Sequence, residues 1–116
     1  MRNLTTPMPT RYGFLIVPGF SMIAFAAAID TLRLANRVSN QRLYEWETIS
    51  SDGKPVTASN GLEVTTGQSI KSSHTQYSVL IVCGGSKVHQ GWSQSLGEGL
   101  RLAAKRGVAL GSLCTG

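Results

Sequence analysis

The sequence predicts an α/β fold in which a parallel sheet is covered by helices on both faces, a three-layer sandwich. Strand-like apolar runs alternate with helix-length amphipathic runs, the order that builds βαβ units. Two of the strand-like runs are almost continuously apolar, as in strands buried on both faces. Glycine-rich segments follow the runs at Pro18-Gly19, Gly84-Gly85 and Gly111 to Gly116, where strand-to-helix turns must be tight.

The elements are expected in the following order. Residues 1–11 are polar, carry Pro7 and Pro9, and read as a flexible tail; the folded part spans residues 12–116. Tyr12 to Val17 is the first strand, ended by Pro18-Gly19. Ser21 suits the N-cap of a helix whose inward face carries Met22, Phe25, Ile29, Leu32 and Asn36, with Asp30, Arg33 and Arg37 opposite. Tyr44 to Ile49 alternates and reads as a strand nearer an edge. Val56-Thr57-Ala58 and Leu62 to Thr65 flank Ser59-Asn60-Gly61, a hairpin signal. Gln68 to Gln76 is polar, a loop or a short helical turn. Tyr77 to Val82 is a second buried-type strand. A helix then runs from about Trp92 to Arg106, with Trp92, Leu96, Leu100 and Ala103 inward and Gly107 as its stop. Val108-Ala109-Leu110 is a short last strand. In such sheets ligands bind beyond the C-terminal strand ends, so the three glycine-rich exits should converge on one corner.

Composition narrows the function classes. Apolar content of 41% and charged content of 15% are those of a globular chain, not a disordered one. The longest apolar stretch, Phe20 to Ile29, is far short of the ~20 residues that span a bilayer. No signal-peptide pattern opens the chain, so a cytoplasmic protein without membrane contact is expected. The net charge of +5 is spread along the sequence and reads as ordinary solvated surface. Cys83 and Cys114 are too few for a disulfide framework and are expected reduced.

Chemistry concentrates at Gly111-Ser112-Leu113-Cys114-Thr115-Gly116, the layout of a nucleophile elbow. A cysteine there sits at a coming helix N-terminus, which lowers a thiol pKa, and nearby backbone N–H groups can hold an oxyanion. Gly84-Gly85 would present further amides beside it if the strands are neighbours. Cys83 would then lie close, most simply as a small buried thiol. His74 falls in a polar loop and His89 near the start of the second helix; neither is an evident base for Cys114. The His and Cys positions do not have metal-ligand spacing, and no phosphate-loop pattern or cofactor motif is present.

These blocks together resemble a known family. Phe14-Leu15-Ile16-Val17-Pro18-Gly19-Phe20-Ser21-Met22 and Ile29-Asp30-Thr31-Leu32-Arg33-Leu34-Ala35-Asn36 look like the opening of GlxA-type regulators. Leu43-Tyr44-Glu45-Trp46, Ser51 to Val56, Ala58 to Leu62, Val82-Cys83-Gly84-Gly85 and Gly111 to Gly116 continue the likeness. Such regulators carry a PfpI-like (class I glutamine amidotransferase-like) sensor domain, flavodoxin-like in fold, followed by an AraC-type helix-turn-helix domain. The resemblance implies that the chain is the N-terminal part of the sensor domain, with DNA contact made by a C-terminal domain absent from this sequence. It implies a homodimer and a small-molecule effector, nearest to the amine and amino-acid type (carnitine, betaine or arginine-like). It places the ligand at Gly19, Phe20, Gly84, Gly85, Cys114 and Thr115. Enzymes of the superfamily carry an acidic residue at the position of Ala24, and peptidase-like members a histidine at Thr115. Both helpers are missing, so Cys114 is read as a vestigial elbow and the domain as catalytically inactive. A cysteine-dependent PfpI-like hydrolase or amidase using Cys114 is the alternative; a small interaction module that dimerises through uncovered surface is a third.

Overall fold

The computed structural model describes residues 8–73, 77–85 and 94–113. Their elements are β1 (Thr10–Ile16), α1 (Met22–Ser39), β2 (Tyr44–Ser50), β3 (Val56–Thr57), β4 (Glu63–Val64), β5 (Gln68–Ser69), α2 (Ile70–Ser73), β6 (Val79–Cys83), α3 (Gln94–Lys105) and β7 (Ala109–Leu113). The main sheet has the order β5-β2-β1-β6-β7, and all its pairings are parallel. β3 and β4 form a separate antiparallel ribbon. The expected parallel α/β architecture is thus the one found.

β1 lies at the centre of the sheet, which explains its unbroken apolar run. Its residues alternate between two cores. Phe14 and Ile16 face α1, packing with Phe20, Phe25, Val56, Ala58 and Cys83. Leu15 and Val17 face α2 and α3, packing with Ile49, Ile70, Leu80, Leu96 and Ala103. Phe14, Leu15 and Ile16 are all at most 2% exposed, so each contributes roughly 1.5–3 kcal/mol by burial.

α1 begins where expected. Ser21 is its N-cap, and its Oγ accepts from the Ala24 amide at 3.4 Å. Its C-cap is Asn40, in the left-handed region at φ 55°. Asn36, read from the sequence as part of the inward stripe, has a polar task there. Its side chain accepts from the Leu43 and Tyr44 amides at 2.9 and 3.0 Å and donates to the Tyr44 carbonyl at 2.9 Å. The side chain thereby fixes the turn from helix to β2.

Three sequence expectations are corrected. First, β1 starts at Thr10, so Thr10 and Arg11 belong to the strand and not to the tail. The Thr10 amide donates to Leu43 O, and Arg11 pairs with Glu45 and lies over the Tyr77 ring. Second, Gln68-Ser69 is a strand, because it pairs with Ile49-Ser50 at the C-terminal end of β2. The Gly67 amide extends this edge by donating to Thr48 O at 2.8 Å, and the earlier part of β2 has no paired strand on that side among the described residues, consistent with its alternating pattern. The hairpin expected around Ser59-Asn60-Gly61 is found, with β3 and β4 antiparallel on either side of it. The Gly61 amide closes a turn on the Ala58 carbonyl, and only Gly61, at φ 87°, is left-handed. Third, β7 runs on through Gly111 and Ser112 to Leu113, so that glycine lies inside the strand. The start of the second helix near Trp92, together with His74 and His89, falls outside the described residues.

Candidate functional site at the C-terminal ends of the strands

The corner expected from the sequence is assembled mainly by backbone. β1 exits next to β6, and the Val17 amide donates to the Cys83 carbonyl at 3.1 Å. The chain then turns through Gly19, at φ 84°, so that the Ser21 amide reaches the Gly84 carbonyl at 3.0 Å. On the other side of β6, the Gly84 amide donates to Leu113 O at 3.1 Å. A single line of hydrogen bonds therefore ties the ends of β1, β6 and β7. Gly85 closes the corner by close approach: a Cβ on it would stand 2.3 Å from the Gly19 carbonyl oxygen, which no side chain can accept. Gly19, Gly84 and Gly85 are thus brought together.

The β3–β4 ribbon forms one wall. The Gly19 amide donates to Thr57 O at 2.9 Å, and the Ser59 amide to Phe20 O at 2.9 Å. Val56 and Ala58 anchor the ribbon in the α1-side core. At its base the buried Ser50 hydroxyl accepts from the Gly53 amide at 2.8 Å and donates to Lys54 O at 3.2 Å. The Lys54 amide bonded to the Asp52 carboxylate holds that group below its usual pKa, with the Lys54 charge and the Ser50 hydroxyl also lowering it.

Phe20 enters the corner differently from the sequence expectation of a ligand contact. Its ring is fully buried, edge-on to Phe25 at 5.4 Å, and its N–H and C=O are bonded to Val17 and Ser59. It shapes the corner from beneath and offers it no polar atom from its main chain.

Cys83 is buried at the end of β6. Burial pushes its thiol up to about 12, and its Sγ leans toward the Ile81 carbonyl at 3.9 Å. This is an inert core thiol. Cys114 and Thr115 fall outside the described residues. The first turn of α1, which opens beside the corner, carries no acidic side chain, and Ala24 occupies it. Among the described residues no group of His, Cys, Asp or Glu side chains is arranged to hold a metal. No described helix is long and apolar enough to cross a membrane. A separate apolar cavity of about 230 Å³ lies between α1 and the sheet, lined by residues including Tyr12, Phe14, Leu32, Ile81 and Leu113.

Residues 11–116 match the DJ-1/PfpI family. The chain is 36% identical over 108 residues to the HTH-type transcriptional regulator GbdR of Pseudomonas aeruginosa, covering 93% of this chain and 29% of GbdR. It is 36% identical over 109 residues to the HTH-type transcriptional regulator CdhR of the same species, covering 94% of this chain and 32% of CdhR. The chain therefore spans about a third of the length of the curated relatives it matches. Among solved structures, an AraC family transcriptional regulator from Pseudomonas putida superimposes with a TM-score of 0.79 at 30% identity, over 90% of this chain and 55% of that one.

Proposed function

The chain belongs to the DJ-1/PfpI family, and we propose that it is the ligand-sensing portion of an AraC-type transcriptional regulator. The carrying observation is the 36% identity to an HTH-type transcriptional regulator over 93% of the chain. In this reading a small amine or amino-acid metabolite, of the carnitine, betaine or arginine type, binds at the strand-end corner. Gly19, Gly84 and Gly85 supply its backbone, Phe20 supports it from beneath, and Cys114 and Thr115 complete it. All three metabolites carry a carboxylate. A helix N-terminus free of acidic side chains, such as the start of α1, suits that charge. DNA is contacted by a part of the regulator beyond this chain, in a cytoplasmic homodimer.

The same reading makes the domain non-catalytic, because Ala24 stands where the superfamily's enzymes place an acid. Calorimetric titration of the intact regulator with the three metabolites tests it. Binding heat from one of them without turnover is the expected result; turnover at Cys114 with no binding heat would overturn it. The elbow motif favours a cysteine-dependent hydrolase as the second reading, and that reading requires a Cys114 thiol pKa well below the ordinary ~8.5. This chain alone should bind DNA only weakly, with affinity lost as salt is raised. A gel shift that persists in high salt would contradict the assignment of DNA contact to another part.

A further inference from the structure

We propose that Asn60 is a site of spontaneous self-modification: its side-chain amide is lost through a succinimide formed with the Gly61 nitrogen, and the reaction loosens the wall of the strand-end corner. The chain has Asn3, Asn36, Asn40 and Asn60, and Asn60 alone precedes a glycine. The attacking group is the main-chain nitrogen of the next residue, which a Cβ on that residue would crowd. Asn60 and Gly61 are both exposed in the turn that joins β3 to β4. Nothing lies within 4 Å of the place a Gly61 Cβ would take, so the ring and an incoming water have room. The electrophile is turned toward the nucleophile. Asn60 Oδ1 accepts from the Leu62 amide at 3.0 Å, which folds the carboxamide forward along the Gly61 peptide. The same N–H is in place for the oxyanion that forms on Oδ1 as Cγ becomes tetrahedral.

The atoms balance with water as the co-reactant. Solvent base takes the Gly61 N–H proton, the nitrogen bonds to Cγ, the Cγ–Nδ2 bond breaks, and ammonia leaves carrying a proton. Water then opens the ring on either side. Opening at Cγ gives an ordinary aspartate. Opening at the Asn60 main-chain carbonyl carbon gives isoaspartate, with the chain running through Cβ and Cγ and longer by a single main-chain atom. In the folded turn the Gly61 amide donates to Ala58 O at 3.0 Å, so this bond must open first and the reaction is slow. Other positions are blocked more firmly. The Asn36 side chain is held by the Leu43 and Tyr44 amides and the Tyr44 carbonyl. Gln41 follows Asn40 and brings a Cβ. At Asp52-Gly53 the Gly53 amide is bonded at 2.8 Å to the buried Ser50 Oγ, and the Lys54 amide favours the ionised Asp52 carboxylate, a poor electrophile.

Isoaspartate breaks the spacing that closes the turn, where the Ala58 amide donates to Leu62 O at 2.8 Å and the Gly61 amide to Ala58 O. The adjoining Thr57 carbonyl and Ser59 amide are the ribbon's bonds to Gly19 and Phe20, so the change reaches the corner whatever the corner binds. Both products add a negative charge to a chain of net charge +5, which separates them by ion exchange. Ageing of the full chain in mildly alkaline buffer, followed by peptide mass spectrometry, tests the proposal. Acid should accumulate at residue 60 about tenfold or more faster than at residues 36 and 40, with the rate rising about tenfold per pH unit, as for reaction through a sparsely populated conjugate base. In the isoaspartate fraction, amide exchange of residues 58–62 should quicken by about tenfold or more while the middle of β1 stays protected. Asn60→Asp carries the same charge without the added atom and should keep the parent's protection. An amide that persists at residue 60, equal rates at Asn36 or Asn40, or parent-like exchange in the isoaspartate fraction would overturn the proposal. So would exchange in Asn60→Asp as fast as in the isoaspartate fraction.

Discussion

β1 and β7 are both parallel strands of the same sheet, yet they meet opposite conditions. β1 has a paired strand on each side and a core on each face, and Leu15 and Ile16 are no more than 1% exposed. Among the described residues β7 stands at the edge of the sheet, is paired with β6 alone, and leaves Leu110 47% exposed. The strand-end corner depends on both. Its Gly19 side is fixed by β1, α1 and the ribbon, while its Leu113 side hangs on β6. Sheet position, more than strand composition, sets how firmly each side of the corner is held.

The largest test of this contrast is Leu15→Ala. It removes a fully buried side chain between two packed layers and should cost about 3–5 kcal/mol in denaturant-monitored stability. A cost below about 1 kcal/mol would mean that the centre of the sheet is no better anchored than its edge. Next comes Gly85→Ala, where the added Cβ would meet the Gly19 carbonyl oxygen at 2.3 Å. Relief requires β1 and β6 to separate at their exits, for about 1–3 kcal/mol. In the ligand-sensing reading it should also abolish metabolite binding while amide exchange in the middle of β1 stays slow. If binding survives, the ligand does not depend on the close approach of these two exits.

Cys83 gives a smaller, pH-dependent effect. Its thiol is raised in the folded chain from an ordinary 9.0 to about 12, so the fold favours the protonated form. The unfolded chain then holds fewer protons than the folded chain between those values. The thiol therefore leaves stability intact below pH 9 and erodes it as pH rises from there toward 12. At pH 10 the loss is on the order of 1 kcal/mol, taken as the difference between the parent and Cys83→Ala. Equal alkaline slopes for the two chains would show that the thiol is not held in a dry environment.

Much of this arrangement was legible in the sequence because periodicity reports burial. The apolar run of β1 and the inward stripe of α1 follow from it, while the cap at Ser21, the ribbon around Gly61 and the convergence of Gly19 with Gly85 were legible from capping residues, turn residues and parallel-sheet topology. β5 was not legible, since its two residues are strand only by pairing with the end of β2. Gly111 was misread because a run of small residues looks like a turn. Within β7 that glycine sits opposite Ile81, where a Cβ would come within 3.0 Å of the Ile81 Cδ1. The direction of the Phe20 ring was not legible for a different reason. Its place beside Gly19 was plain, but sequence does not tell which way a ring points after a turn, and this one points into the core. The backbone of the candidate site could thus be read in advance, and the direction of its side chains could not.

Leu110→Ala is the smallest expected effect and the complement of Leu15→Ala. Leu110 lies on β7 with nearly half its surface exposed, so truncation should cost no more than about 0.5 kcal/mol in this chain. The same substitution in an intact regulator reads what covers β7 there. A cost of about 2 kcal/mol or more would mean that additional chain packs on Leu110 and that the Leu113 side of the corner is as firmly held as the Gly19 side. An unchanged small cost would leave β7 the yielding side of the corner in the whole protein. Ligand-driven movement would then be expected at β7, since elements that move come from the least stable part of a fold. Amide exchange of residues 109–113, with and without metabolite, separates the two outcomes: only the second allows a large change in protection there on binding.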